Sequence, residues 1–156
     1  MSQKTKNARV IFSNGFNCAQ AVLGTFAPEL GLGEIEALRV AGAFGAGMGR
    51  MGKLCGAVAG AFMTIGLVWS RTKPSEEELR EEGYRLVREF SRRFSDRHGS
   101  IDCRALIGVD LATEAGMKEA RENRLFVTKC ALYVEDAVQI LEELLPPLNT
   151  TQTNGG

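Results

Sequence analysis

The sequence predicts an all-α protein, one compact helical bundle of about six to seven helices. Three observations carry that expectation. Apolar residues recur three and four positions apart through most of the chain. Alternating runs of β-branched residues, the mark of strands, are missing. Capping residues and helix stops, such as Asn17, Pro28, Ser75, Gly99 and Pro146, bound the periodic segments. The 156 residues are enough for one domain with a real core, and neither an internal repeat nor a dividing linker interrupts them. We therefore expect one domain over residues 1–149 and a frayed, disordered tail over 150–156.

The elements follow in order. A first helix is expected from Gln3 to about Phe12, ending near Asn14 and Gly15. Asn17 then caps a second, Cys18 to Phe26, with Ala21, Val22 and Phe26 on one face, and Pro28 stops it. Gly33 opens a third, with Ile35, Leu38 and Ala41 or Gly42 as its apolar stripe. A glycine-rich loop, Gly42 to Gly52, precedes a buried central helix from about Lys53 to Trp69. Its small residues sit four apart, Gly56 with Gly60 and Ala57 with Ala61, so that another helix or a ligand can approach closely. Such faces would also suit a homodimer.

Pro74, Ser75 and three glutamates open a long helix to about Arg97, with Leu79, Leu86 or Val87, Phe90 and Phe94 inward and Gly99 as its stop. Arg92 and Arg93 read as solvated. A short helix over Asp102–Ile107, another over Thr113–Asn123 and a last from Leu125 to Leu145 complete the chain. The last carries Val127, Cys130, Val134, Val138, Leu141 and Leu145 as its core stripe, and Pro146 and Pro147 end it.

Composition narrows the function classes. Lysine plus arginine equals aspartate plus glutamate at 19 each, so net charge gives no support for a nucleic-acid partner. The stretch Met1 to Arg9 lacks the apolar centre of a secretory signal. The longest apolar run, Leu54 to Trp69, is shorter than the roughly 20 residues a spanning helix needs, so no membrane insertion is expected. A cytoplasmic location follows as the expectation.

The glycine segment contains G-x-G-x-x-G as Gly47, Gly49 and Gly52. A dinucleotide fingerprint needs a strand before the glycines and a βαβ unit around them. Here a helix precedes them and no strand follows, so NAD is not expected. A phosphate loop fails too, because Lys53 is followed by Leu54 rather than Ser or Thr.

The four cysteines are more informative. Cys18, Cys55, Cys103 and Cys130 are too widely spaced for a local zinc knuckle. Three of them fall at predicted helix starts, where backbone N–H groups favour a thiolate and lower its pKa. Arg50 and Lys53 near Cys55, and Arg104 beside Cys103, push the same way. Cys130 lies mid-helix and should face the core. If the three helix starts converge on it, four sulfurs meet in one partly buried pocket. Taken singly, each cysteine is read equally well as a small buried hydrophobe. His98, before Gly99, reads as a helix-end residue ahead of a ligand or proton carrier near Cys103. Met48, Met51 and Met63 suit packing better than ligation.

These motifs resemble a known family. Cys55-Gly-Ala-Val-Ala-Gly60 matches the C-G-A-x-x-G motif of the redox-active proteins named for their C_GCAxxG_C_C pattern. The upstream run Asn17 to Val22, the segment Gly45 to Arg50, the stretches Gly99 to Cys103 and Leu106 to Asp110, and the late Cys130 fit as well. The resemblance spans about Asn14 to Ala137. It implies redox use of the four cysteines without naming a reaction. Members often lie near transporter genes, which implies a transporter system as a partner. A similar domain occurs in a split-Soret cytochrome, yet this chain has no C-x-x-C-H, so c-type haem is not expected.

Three functions are in play. The first is thiol redox chemistry, with Cys55 as the activated thiolate, Cys18 or Cys103 as resolving partner and a redox protein or small thiol as co-reactant. Gly47, Gly49 and Gly56 are then the candidate contacts for a cofactor or partner, since bare backbone admits it to the sulfur. The second is an iron–sulfur cluster or another metal held by Cys18, Cys55, Cys103 and Cys130. The third is a non-catalytic helical module associated with a transporter.

Overall fold

The computed structural model describes residues 1–70 and 75–148. It contains eight right-handed α-helices among the described residues, in the all-α architecture the sequence predicts. They are α1 (Gln3–Ser13), α2 (Cys18–Phe26), α3 (Glu34–Val40), α4 (Gly56–Trp69), α5 (Glu76–His98), α6 (Cys103–Ile107), α7 (Glu114–Glu122) and α8 (Ala131–Leu144). Short 3-10 turns at Ala27–Leu30 and Ala41–Ala43 link the early elements, and a π turn, Phe126–Cys130, leads into α8. Pro74, expected to open α5, and the expected tail over 150–156 lie outside the described residues.

The central helix α4 packs against α2, α5 and α8. Small residues set the first of these contacts. A Cβ on Gly60 would lie 2.7 Å from the Ala19 carbonyl oxygen and 3.0 Å from the Val22 Cβ. One on Gly56 would lie 3.2 Å from the Cys18 Cβ. The face carrying Gly56 and Gly60 is thus taken up by α2 within the chain. Substituting Gly60→Ala should cost about 1–2 kcal/mol, because roughly 1–3 kcal/mol of overpacking exceeds the ~1 kcal/mol that alanine gains inside a helix. Thermal unfolding would show this as a drop of several degrees; an unchanged midpoint would refute so tight a crossing.

Aromatic rings join the other faces. Phe62 of α4 meets Phe90 of α5 edge-on at 6.1 Å, Phe90 stacks on Phe94 at 6.0 Å, and Phe94 reaches Tyr133 of α8 at 6.0 Å. Arg93, expected in solvent, joins Arg97 in tying α5 to α8 through Glu143, at 3.4 and 2.9 Å.

Two apolar stripes differ from expectation. Ile35 is 67% exposed, and the short α3 turns Ala37 inward instead, with Ala41 buried just beyond its end. Val127 is 60% exposed although Cys130, Val134, Val138 and Leu141 are buried. The π turn explains the second case. Its wider turn rotates Val127 out of phase with the stripe that α8 continues.

The glycine segment is not a plain loop. Ala46, Gly47, Met48, Gly49 and Arg50 all have φ between 54° and 70°. Ala46 and Gly47 also have left-handed helical ψ, at 41° and 51°, and Gly49 N–H donates to the Gly45 carbonyl at 2.9 Å. This is a left-handed helical turn. Each of its non-glycine residues, Ala46, Met48 and Arg50, costs roughly 1–2 kcal/mol in that conformation. The glycines interleaved with them keep the total bearable.

Candidate functional site

Four cysteines from four parts of the chain face one cavity of about 510 Å³. Each is buried, at 9% exposure for Cys18, 5% for Cys55, 7% for Cys103 and 7% for Cys130. All four are free thiols. The convergence expected from sequence is therefore present, and its construction can be followed residue by residue.

Cys18 begins α2. Asn17 caps that helix, its Oδ1 accepting from Gln20 N–H at 3.0 Å while Gln20 Oε1 accepts from Asn17 N–H at 2.9 Å. The same two side chains reach the glycine region: Asn17 Nδ2 donates to the Gly42 carbonyl at 3.0 Å, and Gln20 Nε2 to the Leu38 carbonyl at 2.8 Å. Cys55 is the N-cap residue of α4. It is held against Cys103 by a short antiparallel bridge centred on Leu54 and Asp102. Cys55 N–H donates to the Ile101 carbonyl at 2.8 Å, and Cys103 N–H to the Lys53 carbonyl at 2.7 Å.

Gly47 closes the arrangement. A Cβ there would lie 2.5 Å from the Cys103 Cβ and 2.8 Å from Lys53 N. Gly47 and Gly56 line the cavity, and both let cysteine-bearing segments pack closely. Gly49 faces a different cleft, with Arg50, Met51 and Arg121, and not the thiols. Of the three glycines expected beside a cofactor, two are at the site.

The expectation that helix starts lower the pKa of three thiols is overturned. Burial pushes the Cys55 thiol from the ordinary value of 9.0 up to about 11, although the backbone N–H groups of Val58 and Ala57 pull the other way. Burial also raises Cys103 to about 12, helped by the nearby Cys55 and Cys130. Its helix-start amides are already spent: Cys103 N–H and Arg104 N–H donate to the Lys53 and Gly52 carbonyls. Arg104 points instead toward Asp110, at 3.6 Å.

Cys18 and Cys130 behave as a pair. Hydrogen bonding between the two raises Cys18 well above the ordinary value, and burial adds to the rise. The same interaction lowers Cys130, against the effect of burial and with help from Lys129. Cys130, expected mid-helix and facing the core, is thus the one whose thiolate is favoured.

His98 does not line the cavity. Its ring packs on Phe94 at 4.7 Å and Tyr133 at 4.9 Å, with Nε2 2.8 Å from Asp136 Oδ2. Its place at the end of α5 is as expected. Tyr133 in turn donates to the Leu106 carbonyl at 2.9 Å and so braces α6 against α8.

Sequence reasoning missed the walls. Phe12, Phe16, Leu111, Phe126 and Val127 surround the thiols, and Arg9 stands at the edge. The spacing of four between Phe126 and Cys130 was the available signal. Among the described residues no three Cys, His, Asp or Glu side chains are grouped to hold a metal ion.

A stability signature follows from the Cys55 thiol. It keeps its proton to a higher pH when folded than when unfolded. Between pH 9.0 and about 11 the unfolded chain has lost that proton and the folded chain has not. The reduced protein should therefore lose about 1.4 kcal/mol per pH unit from this group across that window. Cys130 has the opposite sign, since its contribution is lost as pH falls through its depressed folded value. Urea denaturation of the wild type and Cys55→Ala across the alkaline window should give slopes that differ by this amount; parallel slopes would show that Cys55 is not a buried thiol.

A family model described as "Putative redox-active protein (C_GCAxxG_C_C)" matches residues 16–144. No curated protein and no solved structure gives a significant match. Four cysteines drawn to one cavity, within a match that covers most of the chain, lead to one assignment: this protein belongs to the C_GCAxxG_C_C family of redox-active proteins.

Proposed function

We propose that the protein is a thiol–disulfide oxidoreductase whose working pair is Cys130 and Cys18. What supports this is that Cys18 and Cys130 line one cavity and interact with each other in a way that favours the thiolate of Cys130. Cys130 as thiolate attacks one sulfur of a substrate disulfide. The substrate S–S bond breaks, one thiolate leaves, and a mixed disulfide forms. Cys18 then gives its proton to the departing thiolate, and its sulfur displaces the second one. Two electrons have passed to the substrate, which leaves as two thiols, and the protein holds a Cys18–Cys130 disulfide. A dithiol donor returns the pair to its starting state.

Cys55 and Cys103 take a different part from the one their helix positions suggested. Both remain protonated at neutral pH, and both border the reacting pair. They fit the role of a second dithiol that accepts the disulfide from Cys18 and Cys130. A reducing cytoplasm is the compartment in which four free thiols persist. No helix among the described residues is long and apolar enough to cross a membrane.

The test is mild oxidation followed by alkylation and peptide mass spectrometry. Cys18 and Cys130 should appear joined before any other pair. A first disulfide between Cys55 and Cys103, or no disulfide at all, would overturn the assignment.

The convergence of four sulfurs also suits an iron–sulfur cluster. Here the side chains would have to regroup, since no three of them surround a common point. Anaerobic purification that yields stoichiometric iron with visible absorbance would favour this second reading.

A further inference from the structure

We propose that the cavity above the cysteines admits an uncharged, mainly apolar small disulfide, such as a neutral aryl disulfide, in preference to an anionic or peptidic one. The inference deepens the thiol–disulfide reading and rests on it. The cavity holds about 510 Å³, within the roughly 300–1,000 Å³ span of small-molecule sites. That excludes a folded partner from the sulfurs themselves and leaves room for a ligand of one or two rings.

The walls decide the chemistry. Phe12, Phe126, Ile107, Leu111 and Val134 present carbon to the interior. Phe16, 37% exposed, and Val127, 60% exposed, stand where the cavity meets solvent. These two are large apolar side chains that the fold does not bury and that a bound apolar molecule would cover. Among the described residues Arg9 is the one charged residue on the lining, and its Nε is 2.9 Å from Glu135. Lys129, the cation beside Cys130, is not on the lining. A charged ligand group would therefore give up its water for, at most, one cation at the edge that already pairs with a carboxylate. An apolar ligand gains by removing its carbon surface from water.

The geometry also places the reaction. Cys18 and Cys130 lie with Cys55 and Cys103 on the same cavity, so a ligand held by the phenylalanines has its S–S bond near the attacking sulfur. Attack by Cys130 forms a mixed disulfide and releases one aryl thiol. Closure by Cys18 releases the second, and the two electrons come from the two cysteines.

Two chromogenic reagents separate this proposal from the reading beneath it. Neutral dithiodipyridine and dianionic dithiobis(nitrobenzoate) both carry aryl disulfides and differ in charge. Each is reacted with the full reduced chain at neutral pH, and each rate is divided by that of the same reagent with N-acetylcysteine. The neutral reagent should be favoured by about tenfold or more, the equivalent of about 1.4 kcal/mol. Val127→Glu and Phe16→Ser should each shrink that preference, and circular dichroism of both variants checks the fold. Equal normalised rates, or a preference for the dianion, would overturn the proposal while leaving the redox pair standing. If dithiodipyridine reacts preferentially but stops at a mixed disulfide on Cys130, the cavity assignment holds and the Cys18–Cys130 couple fails. If neither reagent leaves Cys130 in a mixed disulfide or in a Cys18–Cys130 disulfide, both fall.

Discussion

Replacing Cys130 by serine should abolish formation of the internal disulfide and slow reduction of a small disulfide by about two orders of magnitude or more, because an attacking thiolate has no substitute in an alcohol. The three remaining cysteines should not compensate. Cys55 and Cys103 hold their protons to about 11 and about 12, so at neutral pH almost none of either is thiolate. Cys18→Ser should give a different phenotype. Its hydroxyl can still donate to the Cys130 sulfur, so attack continues, but no second sulfur closes the ring and the mixed disulfide accumulates. Stopped-flow rates with mass spectrometry of the trapped species distinguish the two variants. If Cys55→Ser were the variant that lost the first step, the attacking sulfur would be at the start of α4 and the Cys130 assignment would be wrong.

Gly47→Ala should be the most damaging small substitution in the glycine segment. Gly47 has φ 67°, which costs an alanine roughly 1–2 kcal/mol. The added Cβ would also sit 2.5 Å from the Cys103 Cβ, 2.8 Å from Lys53 N and 2.9 Å from the Gly52 Cα. Two of those atoms belong to the backbone between the left-handed turn and α4 and cannot swing aside. Overpacking of that kind adds about 1–3 kcal/mol, for a total of about 2–5 kcal/mol. Gly49→Ala is the internal control. It has φ 62° but only the Ala43 carbonyl oxygen nearby, at 3.8 Å, so it carries the conformational cost alone. Denaturation midpoints of the two variants should differ accordingly, and alkylation of Cys103 should accelerate only in Gly47→Ala. Equal midpoints would mean that Gly47 does not press on Cys103.

Much of the fold was legible because its signals are local. The span of α2, the cap at Asn17, the stop at Gly99 and the interior face Leu86, Phe90 and Phe94 all follow from periodicity and capping chemistry. Failures occurred where a neighbour or an unusual turn changes the local rule. Val127 left its predicted stripe because a π turn shifts the helical phase, and nothing in FVTKC announces such a turn. The glycine segment announced freedom of backbone but not its use. Only the dihedral angles show that it is spent on a left-handed turn that seats Gly47 beneath Cys103.

The sequence by itself determined that this chain is helical, that four cysteines are its chemical feature and that three of them begin helices, because capping and periodicity act over a few residues. Which sulfur is shifted toward the thiolate was decided only by tertiary structure. Ionisation depends on burial and on the partner across the cavity, and both come from segments far apart in the chain. Desolvation overrides the helix ends at Cys55 and Cys103, while hydrogen bonding with Cys18, more than a hundred residues away, favours the thiolate of Cys130.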